Sequence, residues 1–307
     1  MDTETLNKIL KAGKVAAQVR EEGLKKLSLP GTSYLEVMDY CEKRVLQLGA
    51  ELAWAQFATN DVAAHDCCAE DDRRITKEGD LIKVDIGTHL DGYIADNART
   101  IICSSNSSNS TAYSQEKDLI KAAENALKAA IKLVKPGTQL WQLGEAQYSE
   151  AEAMGFTTVT NLCGHTLNRY VVHGGVSIPT FNNKDKRELQ EDWQIAIEPF
   201  ITAGHGLVKE KGQSTVFMVG KEQGVRSPYA RKILDQVKLR KGLPFTHRDL
   251  TRNLGKGAAA FGLKELLQSK IVRSYPPLAE VTGAKVAQAE HSMVVKDKPI
   301  IYTKIDG

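Results

Sequence analysis

Leu81-Ile82-Lys83-Val84-Asp85-Ile86-Gly87 and Tyr93-Ile94-Ala95-Asp96-Asn97-Ala98-Arg99-Thr100-Ile101 are two apolar-rich runs joined by a short segment containing Asp91-Gly92. Alternation rich in β-branched residues favours pleated backbone and Asp-Gly is a strong turn signal, so the stretch reads as a β-hairpin. A turn centred between Leu90 and Asp91 places Asp85 opposite Asp96, with Cβ atoms ~5 Å apart. A turn centred on Asp91-Gly92 makes the two diagonal neighbours instead. In either register both carboxylates share one face, where they repel unless a cation lies between them. Asp on a hairpin is ordinarily solvated. Here Val84, Ile86, Ile94 and Ala95 flank the pair and point to burial.

Working outward, Leu6, Ile9, Leu10, Val15, Val19, Leu24 and Leu27 recur at helical spacing behind the capping candidates Asp2 and Thr3. A second helix is predicted from near Ser33 to Gly49, after the Pro30-Gly31 break. Beyond the hairpin lies a polar loop, Ser104 to Ser110, then helices around Gln115 to Val134 and Leu140 to Met154. Strands are predicted at Gln194 to Phe200 and Thr215 to Val219, and again from Ala284 to Val295. Between them, residues 226–273 read as helices and carry twelve Lys and Arg against three acidic residues, a local charge of +9 in a chain of +3. This stretch is read as an inserted basic subdomain, leaving 1–225 and 274–307 as one larger domain.

The chain's 307 residues allow a sizeable core, and 42% hydrophobic with 26% charged residues excludes disordered and collagen-like classes. No eighteen-residue apolar run exists and the amino terminus lacks the pattern of a secretory signal, so no membrane partner and a cytoplasmic location are expected. Five cysteines without repeated Cys-x-x-Cys spacing predict reduced thiols rather than a disulfide framework or zinc finger.

Five motifs occur in order: Asp85-Ile86-Gly87, Asp91-Gly92-Tyr93-Ile94-Ala95-Asp96, Asn161-Leu162-Cys163-Gly164-His165, Ile197-Glu198-Pro199-Phe200 and Ala287-Gln288-Ala289-Glu290-His291. Together they resemble the methionine aminopeptidases. Asn60-Asp61-Val62-Ala63-Ala64-His65, His173-Gly174-Gly175 and Tyr275-Pro276-Pro277-Leu278 extend the likeness over roughly residues 52–295. The basic insertion looks like that of type 2 enzymes, and without a long charged amino-terminal extension the chain is most similar to the short, archaeal-type members.

The resemblance implies an α+β pita-bread fold, two pseudo-symmetric halves with a dinuclear metal centre between them. It implies that Asp85 chelates one ion, that Asp96 and Glu290 bridge both, and that His165 and Glu198 complete the second. Two Asp, two Glu and one His suit Mn, Fe, Co or Zn without selecting among them. It further implies hydroxide attack on the peptide carbonyl, with Glu198 as general base, His173 on the tetrahedral intermediate and His65 near the scissile amide. The residues alone say less. Glu198 lies in an apolar run where an unpaired charge costs several kcal/mol, so it asks for a partner. Each histidine read singly fits a core or surface role.

The implied activity is removal of the initiator methionine, with nascent-chain N-termini bearing a small second residue as partners and a transient ribosome contact through the insertion. Two other readings are an X-Pro (prolidase-like) peptidase and a non-catalytic ribosome- or RNA-binding relative. All five ligand positions count against the second of these. Departures fall in residues 52–68. Leu52-Ala53-Trp54-Ala55 replaces the family's Phe-Pro stretch along the methionine pocket, and Asp66-Cys67-Cys68 replaces an aromatic residue and Thr-Pro. Cys67 and Cys68 are read as buried free thiols rather than a soft third metal site.

Overall fold

The computed structural model describes residues 1–105, 113–221 and 223–305; most of the predicted loop Ser104 to Ser110 lies outside them. The chain opens with helices α1 (Thr3–Leu27) and α2 (Tyr34–Gln47), followed by strands β1 (Glu51–Thr59), β2 (Val62–Ala64), β3 (Leu81–Leu90) and β4 (Tyr93–Ile102). Helices α3 (Ser114–Leu133) and α4 (Leu140–Ala153) follow, then β5 (Thr157–Thr158), β6 (Gly164–Leu167), β7 (Ser177–Ile178), β8 (Gln194–Ile197), β9 (Phe200–Thr202), β10 (Val208–Glu210) and β11 (Val216–Val219). Residues 226–273 supply α5 (Pro228–Lys238), β12 (Phe245–Thr246), α6 (His247–Leu254) and α7 (Lys256–Gln268). Finally come β13 (Val272–Tyr275), β14 (Leu278–Glu280), β15 (Val286–Gln288), β16 (His291–Val294) and β17 (Ile300–Ile301).

Two helix starts are fixed by the predicted chemistry. Asp2 caps α1 by accepting from the Thr5 amide, and Ser33 caps α2 by accepting from the Glu36 amide. Helices α1 and α2 bury Val15, Val19, Leu24, Val37 and Met38 against Phe57, Ile82 and Val84 of a three-stranded sheet ordered β1-β3-β4. On the other side, α3 and α4 bury Leu119, Leu127, Leu140 and Leu143 against Ile195, Ile197, Ile201 and Met293. Two helix pairs thus each cover antiparallel strands, and the edges between the halves meet where Arg99 bridges Ala289.

The hairpin register corrects the direct Asp85–Asp96 pairing. Leu90 faces Tyr93, so Asp85 faces Ala98 and Asp96 faces Gly87; the carboxylates are diagonal neighbours on one face. The reason is the turn. Asp91 and Gly92 both take positive φ, 51° and 84°, as a two-residue type I′ turn requires.

The predicted strand Gln194 to Phe200 is also split. β8 pairs with β16 and β9 pairs with β15, and both partners break at the same level, at Glu198-Pro199 and Ala289-Glu290. Pro199 has no amide hydrogen to continue a ladder. Each break moves its strand from the five-stranded sheet β17-β16-β8-β6-β7 to the smaller sheet β15-β9-β5.

Helices α5 to α7 pack on β11, β12 and β13 around Phe217, Ile233, Phe245, Leu250, Leu263 and Leu266. Two arginines of this stretch, Arg240 and Arg248, are turned inward, and Arg252 joins Arg248 against α2. Arg248 and Arg252, one turn apart on α6, face Asp39 and Glu42, three apart on α2. Arg248 lies 3.2 Å from Asp39 and against Glu42; Arg252 lies 2.5 Å from Asp39 and 2.8 Å from Glu42. Arg248 is 1% exposed, so removing it strips a buried partner from two carboxylates, whereas Arg252 is half-solvated. Arg248→Met should cost about 2 kcal/mol or more in urea denaturation, and Arg252→Met less than about 1 kcal/mol. Equal losses would show that the two arginines bear the same load.

Candidate functional site

Several strands and the break at Glu198 line a cavity of about 120 Å³, walled among others by His65, Asp85, Asp96, His165, His173 and Glu198. Asp85 and Asp96 come from the hairpin face. Glu198 and Glu290 come from the two breaks, where the backbone leaves one sheet for another and the side chains turn into the space between them. One carboxylate oxygen from each of Asp85, Asp96 and Glu290 lies within 4.8 Å of the others. His165 Nε2 stands 3.6 Å from Asp96 Oδ2 and 3.4 Å from Glu198 Oε1. The Gln288 amide donates to Glu290 Oε2 at 3.3 Å and to Glu198 Oε2 at 3.5 Å. All five residues read from sequence as ligands are therefore brought together.

Electrostatics follow from burial. Desolvation pushes the Asp85 carboxyl up to about 7. Burial and then mutual repulsion push Asp96, Glu198 and Glu290 well above the usual carboxylate range. Burial moves the histidines the opposite way: His65 falls to about 4, His165 to about 3, and His173 below its ordinary value. Asp96 Oδ1 and Glu290 Oε1 are buried without a hydrogen-bond partner. Oxygens that are clustered, desolvated and unpartnered fit a divalent cation, which would satisfy them and reverse the repulsion.

His173 packs edge-on against His165 with ring centroids 4.6 Å apart. His65 takes a left-handed backbone conformation, φ 63°, its amide donating to Gln56 Oε1 at 2.8 Å, and its ring meets Tyr275 edge-on at 5.7 Å. That uncommon conformation is held in place by Gln56. Sequence reasoning missed the parts played by Gln56, Gln288 and Trp54. Gln288 had a signal, standing two residues before Glu290, so that the alternation of an extended chain keeps the two on one side. A larger cavity of about 660 Å³ lies between α1 and α3 on the far side of Glu290; it is lined by Arg20, Leu127 and Ile305 and contains none of the three histidines of the smaller one, so the chemistry belongs to the smaller.

Residues 7–237 match metallopeptidase family M24. The methionine aminopeptidase of Pyrococcus abyssi is 37% identical over 301 residues, covering 97% of this chain and 99% of that protein, and the methionine aminopeptidase of Methanocaldococcus jannaschii is 35% identical, covering 99% of both. The chain belongs to the methionine aminopeptidases of metallopeptidase family M24. In fold it is similar to a thermophilic Arx1 (TM-score 0.87, 16% identity, covering 100% of this chain and 92% of the other). It is likewise similar to the Thermotoga maritima methionine aminopeptidase (0.72, 20%, covering 99% and 98%) and to the Pyrococcus furiosus prolidase (0.63, 16%, covering 100% and 65%). These likenesses establish the pita-bread architecture. The α+β expectation and the aminopeptidase class both stand.

The cysteines are free, with Cys41, Cys67, Cys68 and Cys103 buried and Cys163 exposed beside the cavity. Cys67 packs in the α2 core, its Sγ 3.4 Å from Met38 Sδ, and burial pushes its thiol up to about 12 and that of Cys68 up as well. A thiol-reactive dye should therefore label one cysteine quickly in the native protein and five after denaturation. Rapid labelling of Cys67 or Cys68, read by peptide mass, would contradict a closed core there.

Proposed function

We propose that the chain removes the initiator methionine from nascent proteins at a centre of two divalent ions, Co, Mn, Fe or Zn. The observation that supports this best is the buried set of four carboxylates and one imidazole with two unpartnered oxygens. Asp85 would hold one ion, Asp96 and Glu290 would bridge, and His165 with Glu198 would complete the second. When bound, such ions supply Lewis acidity and lower the pKa of water at the site. Glu198 accepts the proton of the attacking water, which suits a carboxylate placed at the cavity wall. His173, neutral because buried, donates its N–H to the oxygen of the tetrahedral intermediate. His65, which also lines the cavity, would lie near the scissile amide.

The substrate is the free N-terminus of a chain whose second residue is small, and the enzyme works in the cytoplasm; among the described residues no helix is long and apolar enough to cross a membrane. Residues 226–273 would be an inserted subdomain beside a catalytic unit of 1–225 and 274–307, its helices sharing an apolar cluster with Phe217 of β11. A transient ribosome contact would fall to the lysines that stay exposed, Lys232, Lys238, Lys264 and Lys270, since Arg248 and Arg252 are engaged with α2.

Exhaustive chelation should abolish hydrolysis of Met-Ala-Ser, and Mn, Co or Fe should restore it. An undiminished rate in metal-free protein would sink the metal reading, and turnover of Ala-Pro instead of Met-Ala-Ser would replace it with an X-Pro peptidase. Counting bound metal, Asp96→Asn should weaken both ions and Asp85→Asn mainly one.

The division between binding and chemistry is tested at His173. His173→Ala should keep both ions and lose on the order of 10²-fold or more in kcat, as for an oxyanion donor. Loss of bound metal in that variant would make His173 part of the binding shell instead.

A further inference from the structure

Strand β1 is irregular where it passes the site. Leu52 pairs with Thr88 but Trp54 pairs with Gly87, so Ala53 is an extra residue, a β-bulge. Bulges re-aim side chains, and this one turns the Trp54 indole across β3. The indole N–H donates to Asp85 Oδ1 at 2.8 Å, and Trp54 is 7% exposed. Its ring lies so close over Gly87 that a Cβ there would fall 2.3 Å from Trp54 Cε2, so glycine at 87 is what gives the indole room.

The bulge itself is gripped from the insertion. Arg240, just past α5, donates from one terminal nitrogen to Ala53 O at 2.7 Å and Leu52 O at 3.3 Å, while its Nε donates to Pro244 O at 2.5 Å. The carbonyls of the bulged residue Ala53 and of its neighbour Leu52 thus both accept from a single guanidinium. A continuous path runs from the insertion through Arg240, the bulge and the Trp54 indole to one oxygen of Asp85.

We propose that Trp54 is a positioning residue for the metal ligand Asp85, and that Arg240 holds it in place from the insertion. The indole fixes Oδ1 and with it the rotamer of the carboxylate that would hold the ion. A neutral donor does this without competing with the cation for charge. Partners behind a ligand of this kind set metal affinity by orienting it. The proposal rests on the reading of Asp85 as a ligand.

The test uses the full-length, demetallated protein titrated with MnCl2 in a calorimeter. Trp54→Phe keeps an aromatic side chain and loses the N–H together with the bulk of the second ring; it should weaken one Mn site by about 10- to 100-fold and change the other less. Arg240→Met should weaken the same site by a smaller factor, and Arg240→Lys should recover part of the loss. A second readout leaves Trp54 intact: in a Trp141→Phe, Trp193→Phe background, where Trp54 is the only tryptophan, added Co²⁺ should quench its emission at the stoichiometry of the first ion. Wild-type Mn affinity at both sites in Trp54→Phe, or unquenched emission with cobalt bound, overturns the proposal. Wild-type protein that binds no divalent ion overturns the metal reading beneath it, a different result from either.

Discussion

Repulsion among buried carboxylates is the constraint around which this molecule is arranged. Asp85, Asp96, Glu198 and Glu290 are packed into a desolvated crevice, three of them with oxygens within 4.8 Å. At about 5 Å and an effective dielectric near 20, each pair of unit charges costs about 3 kcal/mol. No local segment would choose this arrangement. It persists because each carboxylate is tied to a backbone feature stabilised elsewhere: a hairpin carried by α1, and two broken strands whose flanks lie in the α3 and α4 core. The site is thus held by the apolar mass on either side of it, and its unfavourable electrostatics become the driving force for taking up cations.

The same low dielectric sets the histidines. Burial that raises the carboxyls lowers His65 and His165 to about 4 and about 3, so near neutrality these imidazoles are neutral. A neutral imidazole offers both a lone pair and an N–H donor, which is what a ligand and an intermediate-stabilising group respectively need. Burial is the largest cause in each case, lowering the imidazoles and raising the carboxyls beside them.

Features encoded within a few residues were legible in the sequence. The caps at Asp2 and Ser33, the Asp91-Gly92 turn and the helix periodicity each declare themselves locally, and the structure has them. The hairpin register was legible only up to the turn's centre, because moving that centre by one residue moves every facing partner by two, here from Asp96 to Ala98 opposite Asp85. The strand breaks at Glu198 and Glu290 were not legible, although Pro199 hinted at one, because a broken strand and an intact one share the same apolar alternation. The site residues emerged from motif likeness rather than from spacing: His165 and Glu290 are far apart in the chain, and nothing local predicts their meeting. Arg248 and Arg252 looked like surface charge by count. Their partners Asp39 and Glu42 lie about two hundred residues away, and only the fold sets helix against helix.

Residues 226–273 are fixed to the rest of the molecule at two places. One end is fastened to α2 by a four-membered arginine–carboxylate ladder, and Arg240 grips the bulge of β1. Between these anchors runs the segment 52–68, where the chain departs most from the resemblance noted in its sequence. A bulge leaves carbonyls unpaired, and an unpaired carbonyl in a buried strand is costly, so a tryptophan aimed by a bulge requires a donor brought from outside the sheet. Arg240 is that donor. The departure at Trp54 and the placement of Arg240 are thus best understood together: the bulge turns the indole toward Asp85, and Arg240 donates to both carbonyls at the bulge.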